Sequence, residues 1–157
     1  MIVVDLDGST FDNMHRWALV PKDKSSVANW YKFNKACLRD RAIMPVINLV
    51  KHLATQENAQ IAFVTSRGED VREETKRQIY KHFAGYGSRL KMRPMDDNRC
   101  TVDYKRDVLE ELKDEFNEWS IIIDDHPGIV EMVKKDFPQL NCMLVPSYDC
   151  TIRYAHL

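Results

Sequence analysis

Asp5 and Asp7 lie two residues apart in the opening stretch MIVVDLDGST, where an apolar run gives way to a glycine. Further along, IAFV runs into Thr65, Ser66 and Arg67, and III runs into Asp124 and Asp125, with Lys105 upstream of that last pair. If these apolar runs are strands of one parallel sheet, the polar groups meet at its carboxyl edge, where open α/β sheets bind ligands. Singly, each group has an ordinary explanation. A strand-ending hydroxyl caps a helix, a lone lysine faces solvent, and two aspartates before His126-Pro127-Gly128 make a turn. Together they do not, because clustered carboxylates repel and a protein interior screens that repulsion poorly. Something positive has to offset it. A hard divalent cation with oxygen ligands, most naturally Mg²⁺, is the simplest occupant, with Asp5, Asp7, Asp124 and Asp125 as the expected ligands.

A metal, a hydroxyl donor and a lysine around a carboxylate form a trap for a phosphoryl group. Mg²⁺ and Lys105 neutralise its oxygens while Thr65 and backbone N–H groups hydrogen-bond them. Asp5 is then the expected nucleophile, forming an aspartyl-phosphate. Asp7 is placed to protonate the leaving oxygen and later to activate the hydrolytic water.

The elements that must position these groups are legible from patterning. Residues 2–4, 61–64, 121–124 and 142–145 are short, β-branched-rich and apolar on both faces, as buried parallel strands are, and LKM at 90–92 is a fifth candidate. Helical stripes start near Pro45 (Val46, Ile47, Val50, Leu53), Asp70 (Val71, Thr75, Ile79, Phe83) and Asp103 (Tyr104, Val108, Leu112, Phe116). Pro127 opens a fourth helix. This alternation predicts a three-layer α/β/α, Rossmann-like parallel sheet. The span from Ser9 to Met44 breaks it. Residues of about 12–43 are expected to form a small cap-like helical insertion over the carboxyl edge, with Ser25 or Ser26 capping a helix in SSVANWYKFNKACLRD. At 157 residues, without repeats or linkers, the expectation is a single domain over 1–157. The net charge of −1 gives no global field toward nucleic acid or lipid. Scattered cysteines (Cys37, Cys100, Cys142, Cys150), no membrane-length apolar stretch and no signal-peptide pattern point to a cytoplasmic protein.

The ordered set DLDGS, FVTS, Lys105 and IIIDD resembles the four motifs of the haloacid dehalogenase (HAD) superfamily of phosphohydrolases. Response-regulator receiver domains share the parts list, but they place the acidic pair first and the lysine late. Within the superfamily the chain is most similar to the 3′-phosphatase domain of bacteriophage-type polynucleotide kinase–phosphatases. Arg16 stands at the offset of that family's phosphate-contacting arginine, Arg67 follows Thr65-Ser66 as the arginine of its SGR does, and DDHPGIVEM matches its DDR…VVEM segment. The resemblance implies substrate binding by Arg16, Ser66 and Arg67, with Asp125 on the metal directly and Asp124 in support. It implies removal of 3′-phosphate from polynucleotide ends, in a host bacterial cytoplasm if the gene is phage-borne. Three positions depart from the family. His126 replaces an arginine, TSR replaces SGR, and Thr101 stands where an acid precedes the lysine by four, a role Asp103 is the candidate to fill. No G-x-x-x-x-G-K-[ST] occurs, so the expectation is a phosphatase module, alone or beside a separate kinase or ligase. Trp17, Trp30 and Tyr31 of the insertion are candidates to stack a base. They keep open a nucleotidase acting on nucleoside monophosphates. A non-catalytic binding module is the third reading. Oligomeric state is not legible.

Overall fold

The computed structural model describes residues 1–146, so Cys150 lies outside the described residues. Numbered along the chain, the strands are β1 (Ile2–Val4), β2 (Phe11–Asp12), β3 (Arg41–Ala42), β4 (Ile61–Gly68), β5 (Ser88–Arg93), β6 (Ile121–Asp124) and β7 (Asn141–Leu144). The α-helices are α1 (Tyr31–Lys35), α2 (Met44–Gln56), α3 (Arg72–Phe83), α4 (Thr101–Leu112) and α5 (Pro127–Asp136). Five strands form one parallel sheet in the order β5-β4-β1-β6-β7, while β2 and β3 pair as a separate antiparallel ribbon.

Successive strand residues face opposite sides of the sheet, and both sides are covered. Val3 joins Ala62, Val64 and Ile122 beneath Tyr104, Val108 and Leu109 of α4 and Ile129, Met132 and Val133 of α5. Ile2 and Val4 join Ile61, Phe63 and Ile123 against Val46, Ile47 and Val50 of α2 and Ile79 and Phe83 of α3. Each such side chain contributes roughly 1.5–3 kcal/mol of burial free energy, which is why these strands read as continuous apolar runs. The expected three-layer α/β/α architecture is the one observed.

Two boundaries differ from the sequence reading. The strand IAFV continues to Gly68, because β5 keeps pairing with it through a register shift between Thr65 and Gly68. Thr65, Ser66 and Arg67 therefore lie in the strand's irregular end, where a bulge re-aims side chains. Phe116 follows α4 by a short 3₁₀ turn, Lys113–Glu115, yet still packs on the α4 side of the core.

The insertion is not one helix. It runs through 3₁₀ turns at Met14–Leu19, Val27–Trp30 and Ala36–Arg39, with only α1 between the last two. Ser26 does cap, its hydroxyl accepting from the Ala28 N–H at 3.3 Å. Asn29, Trp30, Tyr31, Phe33 and Asn34 rank low in helix propensity, so tertiary contacts decide the path. Those contacts are specific. Phe33 stacks edge-on against Trp30, with ring centroids 5.5 Å apart, and lies under the Arg16 guanidinium at 4.4 Å. The Val27 N–H donates to Asn98 at 2.9 Å, and Gly68 lets the chain near Val27 approach β4 closely. The insertion thus sits over the carboxyl ends of the strands.

Candidate active site

Asp5 follows β1 directly and is fixed from four sides. Its N–H donates to the Ile123 carbonyl at 2.9 Å, and the Thr10 hydroxyl donates to its own carbonyl at 2.7 Å. Lys105 Nζ donates to Asp5 Oδ1 at 2.7 Å, and the Ser9 hydroxyl to Oδ2 at 3.1 Å. Lys105 also donates to Asp124 Oδ2 at 2.6 Å, so one buried ammonium bridges β1 and β6. Asp5, Asp124 and Asp125 can bring carboxylate oxygens within 4.8 Å of one another, all three buried. Burial pushes the Asp5 carboxyl up to about 8, against the pull of Lys105 and with Asp124 and Asp125 adding to the rise. Burial alone would lower the Lys105 pKa, but Asp124 and Asp5 raise it above its ordinary value, so the ammonium stays charged. A buried, all-oxygen donor set suits a hard divalent cation.

Gly8 makes this packing possible. Its φ is +90°, which favours glycine, and a Cβ there would collide with the Asp125 carboxylate. On the other side, Asp124 Oδ1 accepts from the His126 N–H at 2.9 Å. His126 Nδ1 accepts from the Gly128 N–H at 3.0 Å, capping α5, with Pro127 suited to the first helical turn.

The Asp7 carboxylate does not join the acidic triad. It is turned to two arginines instead. Arg67 donates to it through Nε at 2.9 Å and Nη2 at 2.6 Å, and Arg16 Nη2 donates to Oδ1. Burial alone would raise the Asp7 pKa, but Arg16 and Arg67 hold it well below the usual carboxylate range. Asp40, at the end of the insertion, accepts from Arg16 Nε at 2.9 Å, Arg16 Nη2 at 2.8 Å and Gln78 Nε2 at 3.1 Å. Gln78 Oε1 accepts from Arg67 Nη1 at 2.7 Å, and the Phe33 carbonyl from Arg16 Nη1 at 3.2 Å. Both guanidinium groups are fully enclosed. Arg16 and Arg67 were expected to bind phosphate, but the structure spends their donors on Asp7, Asp40 and neighbouring acceptors. Here they position Asp7.

These groups floor one cavity of about 540 Å³, lined by Asp5, Asp7, Thr65, Ser66, Arg67, Lys105, Asp124 and Asp125 among others. Thr65 is buried, its hydroxyl accepting from the Arg67 N–H at 3.3 Å, and Ser66 donates to the Thr101 hydroxyl at 3.1 Å. Trp17 and Trp30 of the insertion form part of the opposite wall, as does Lys24. Asp103 does not take up the role vacated at Thr101. It is an exposed acid paired with Arg106 at 2.7 Å. The basic segment around α3 is largely offset by acids, with Glu73 paired to Lys76 rather than to Arg77, and Glu74 to Lys35. Asp40 and Gln78 belong to the site and carry no motif. Only the path of the insertion brings Asp40 to the arginines.

The family described as the polynucleotide kinase PNKP phosphatase domain matches residues 1–149. A curated relative, the "Putative bifunctional polynucleotide kinase/RNA ligase" of Autographa californica nuclear polyhedrosis virus, is 30% identical over 138 residues, 83% of this chain and 17% of the viral protein. The chain thus spans less than a fifth of that relative's length. The solved "Structure of Pnkp1/Rnl/Hen1 complex" contains a chain with a TM-score of 0.66 and 24% identity, over 92% of this chain and 45% of that one. Class C acid phosphatase from Bacillus anthracis, solved with tungstate bound, gives 0.63 at 14% identity, over 94% of this chain and 66% of that one. At those identities the likeness is one of fold.

Proposed function

The chain belongs to the polynucleotide kinase PNKP phosphatase-domain family and is a phosphatase of the HAD type; from that premise we propose that it removes 3′-phosphate from polynucleotide ends through an aspartyl-phosphate on Asp5. The observation that carries this reading is the pairing of Asp5 with Lys105 and Asp124 at the floor of an open cavity at the sheet's carboxyl edge. Asp5, Asp124 and Asp125 would hold Mg²⁺, which would supply positive charge against the phosphoryl oxygens and keep Asp5 ionised.

Asp5, oriented by Lys105 and Ser9, attacks phosphorus as the bond to the 3′-oxygen breaks, and that oxygen takes a proton. Lys105 and the Thr65 hydroxyl face the charge that builds on the phosphoryl oxygens. Water then attacks the acyl phosphate, releasing inorganic phosphate and restoring the Asp5 carboxylate. The arginine-held, ionised Asp7 is in the form that accepts the proton of that water. For the first step it must carry a proton, which it passes to the leaving 3′-oxygen.

The insertion of residues 12–43 acts as a small cap on a single domain. A nucleotidase for nucleoside monophosphates is the second reading, favoured by the Trp17 and Trp30 wall over the same cavity. The names of the similar proteins favour polynucleotide ends. They also support work beside a kinase or ligase. Among the described residues, no helix is long and apolar enough to cross a membrane. The direct test is Asp5→Asn, which keeps the shape of the side chain but not its nucleophilicity. It should release no phosphate from a 3′-phosphorylated oligonucleotide while melting as a folded protein does. Retained turnover would end the mechanism.

A further inference from the structure

Arg93 ends β5 at the rim of the cavity, only 7% exposed. Unlike Arg16 and Arg67, it has no carboxylate on its guanidinium among the described residues. It donates to neutral oxygens, the Arg99 carbonyl at 2.6 Å and Thr101 Oγ1 at 3.2 Å, and its buried Nε has no partner among the described residues. Burial lowers its pKa from the ordinary value, with Asp97 only partly countering this. A buried cation with an idle donor costs free energy unless an anion completes it. The neighbouring Arg99 is different, since it is exposed and already paired with Asp97 and Asp107, each at 2.8 Å.

Three further groups converge beside Arg93. Thr101 Oγ1 accepts from both Ser66 and Arg93, which leaves its own proton to donate. Thr101 opens α4, a helix of 12 residues whose N-cap, Cys100, makes no side-chain cap. Its first-turn N–H groups and positive dipole end therefore favour an anion. The Tyr104 ring lies 5.0 Å from the Arg93 guanidinium and holds it in place. Lys105 stands about 6 Å along the axis beyond Thr101. Lys105 and Arg93 thus set two cations on one cavity, one on Asp5 and one at the rim.

We propose that Arg93, with Ser66, Thr101 and the first turn of α4, is a second phosphate site. It binds the phosphodiester on the 5′ side of the terminal nucleoside while the 3′-phosphate meets Asp5. This rests on the polynucleotide-end reading above and deepens it. The site selects a strand end over a free nucleoside 3′-monophosphate, which lacks the second phosphate.

The test compares a nucleoside 3′,5′-bisphosphate with the matching 3′-monophosphate, by calorimetric binding to Asp5→Asn protein in Mg²⁺. The bisphosphate should bind at least ten-fold tighter. Adding Arg93→Gln, which removes the guanidinium and keeps a polar side chain, should erase that difference and leave monophosphate binding unchanged. Equal binding of the two ligands with Arg93 present overturns the site, whether or not the Arg93 variant folds. So does a difference that survives Arg93→Gln. Failure of the phosphatase reading shows separately, as no phosphate released by the wild-type protein from either compound.

Discussion

Charge pairing divides the aspartates of this site into two groups that the sequence does not separate. Asp5 and Asp124 share one lysine and lie with Asp125 in a buried acidic triad, whereas Asp7 is enclosed by two arginines. From spacing alone all four read as metal ligands, because a D-x-D pair at a strand end does not say which way its second member turns. The direction is set by Asp40, whose carboxylate locks Arg16 from across the insertion. No periodicity or motif marks Asp40, and its part in the site exists only once the chain has folded back. Asp40→Asn should lower kcat by about 100-fold by letting the Arg16–Asp7 pair drift, as misplacement on the scale of an ångström does, with little change in KM. Removing the charge opposite a buried arginine should also cost about 3–5 kcal/mol of stability. Steady-state kinetics and thermal melts check both, and a change in KM alone would mean that Asp40 contacts substrate instead.

At the scale of elements, the strands were legible because both faces of the sheet are covered, so burial wrote an apolar residue at almost every position of β1, β6 and the first half of β4. The polar residues that interrupt those runs mark the carboxyl edge, and most of the site follows from that. The insertion was not legible in detail. Its residues have weak helical preference, and contacts such as Phe33 beneath Arg16 decide where each turn stops. The turn after β1 is the most constrained loop of the site. Gly8→Ala would force both a positive φ and a clash with Asp125, so it should destabilise the fold by about 1–3 kcal/mol and cut activity more than ten-fold. Chemical denaturation and phosphate release would show this, and a Gly8→Ala enzyme with full stability and activity would contradict the packing described.

For the whole molecule, five parallel strands bring distant segments to one edge, so that Asp5, Lys105 and Asp124 touch across 119 residues of sequence. The motif order made that convergence readable. The buried acidic triad at that edge suits a divalent cation. EDTA should therefore abolish phosphate release and Mg²⁺ restore it, while Mg²⁺ should also raise the melting temperature of the wild type but not of Asp125→Ala. An activity indifferent to rigorous chelation would remove the metal from the account.

The central claim is that this cavity receives the phosphorylated 3′ end of a strand. The most direct measurement is phosphate release in Mg²⁺, as kcat/KM, from a 3′-phosphorylated oligonucleotide beside 3′- and 5′-mononucleotides. The account predicts at least a ten-fold preference for the oligonucleotide over either mononucleotide. Equal or better turnover of a mononucleotide would contradict it, and would make the Trp17 and Trp30 wall a lid over a single base.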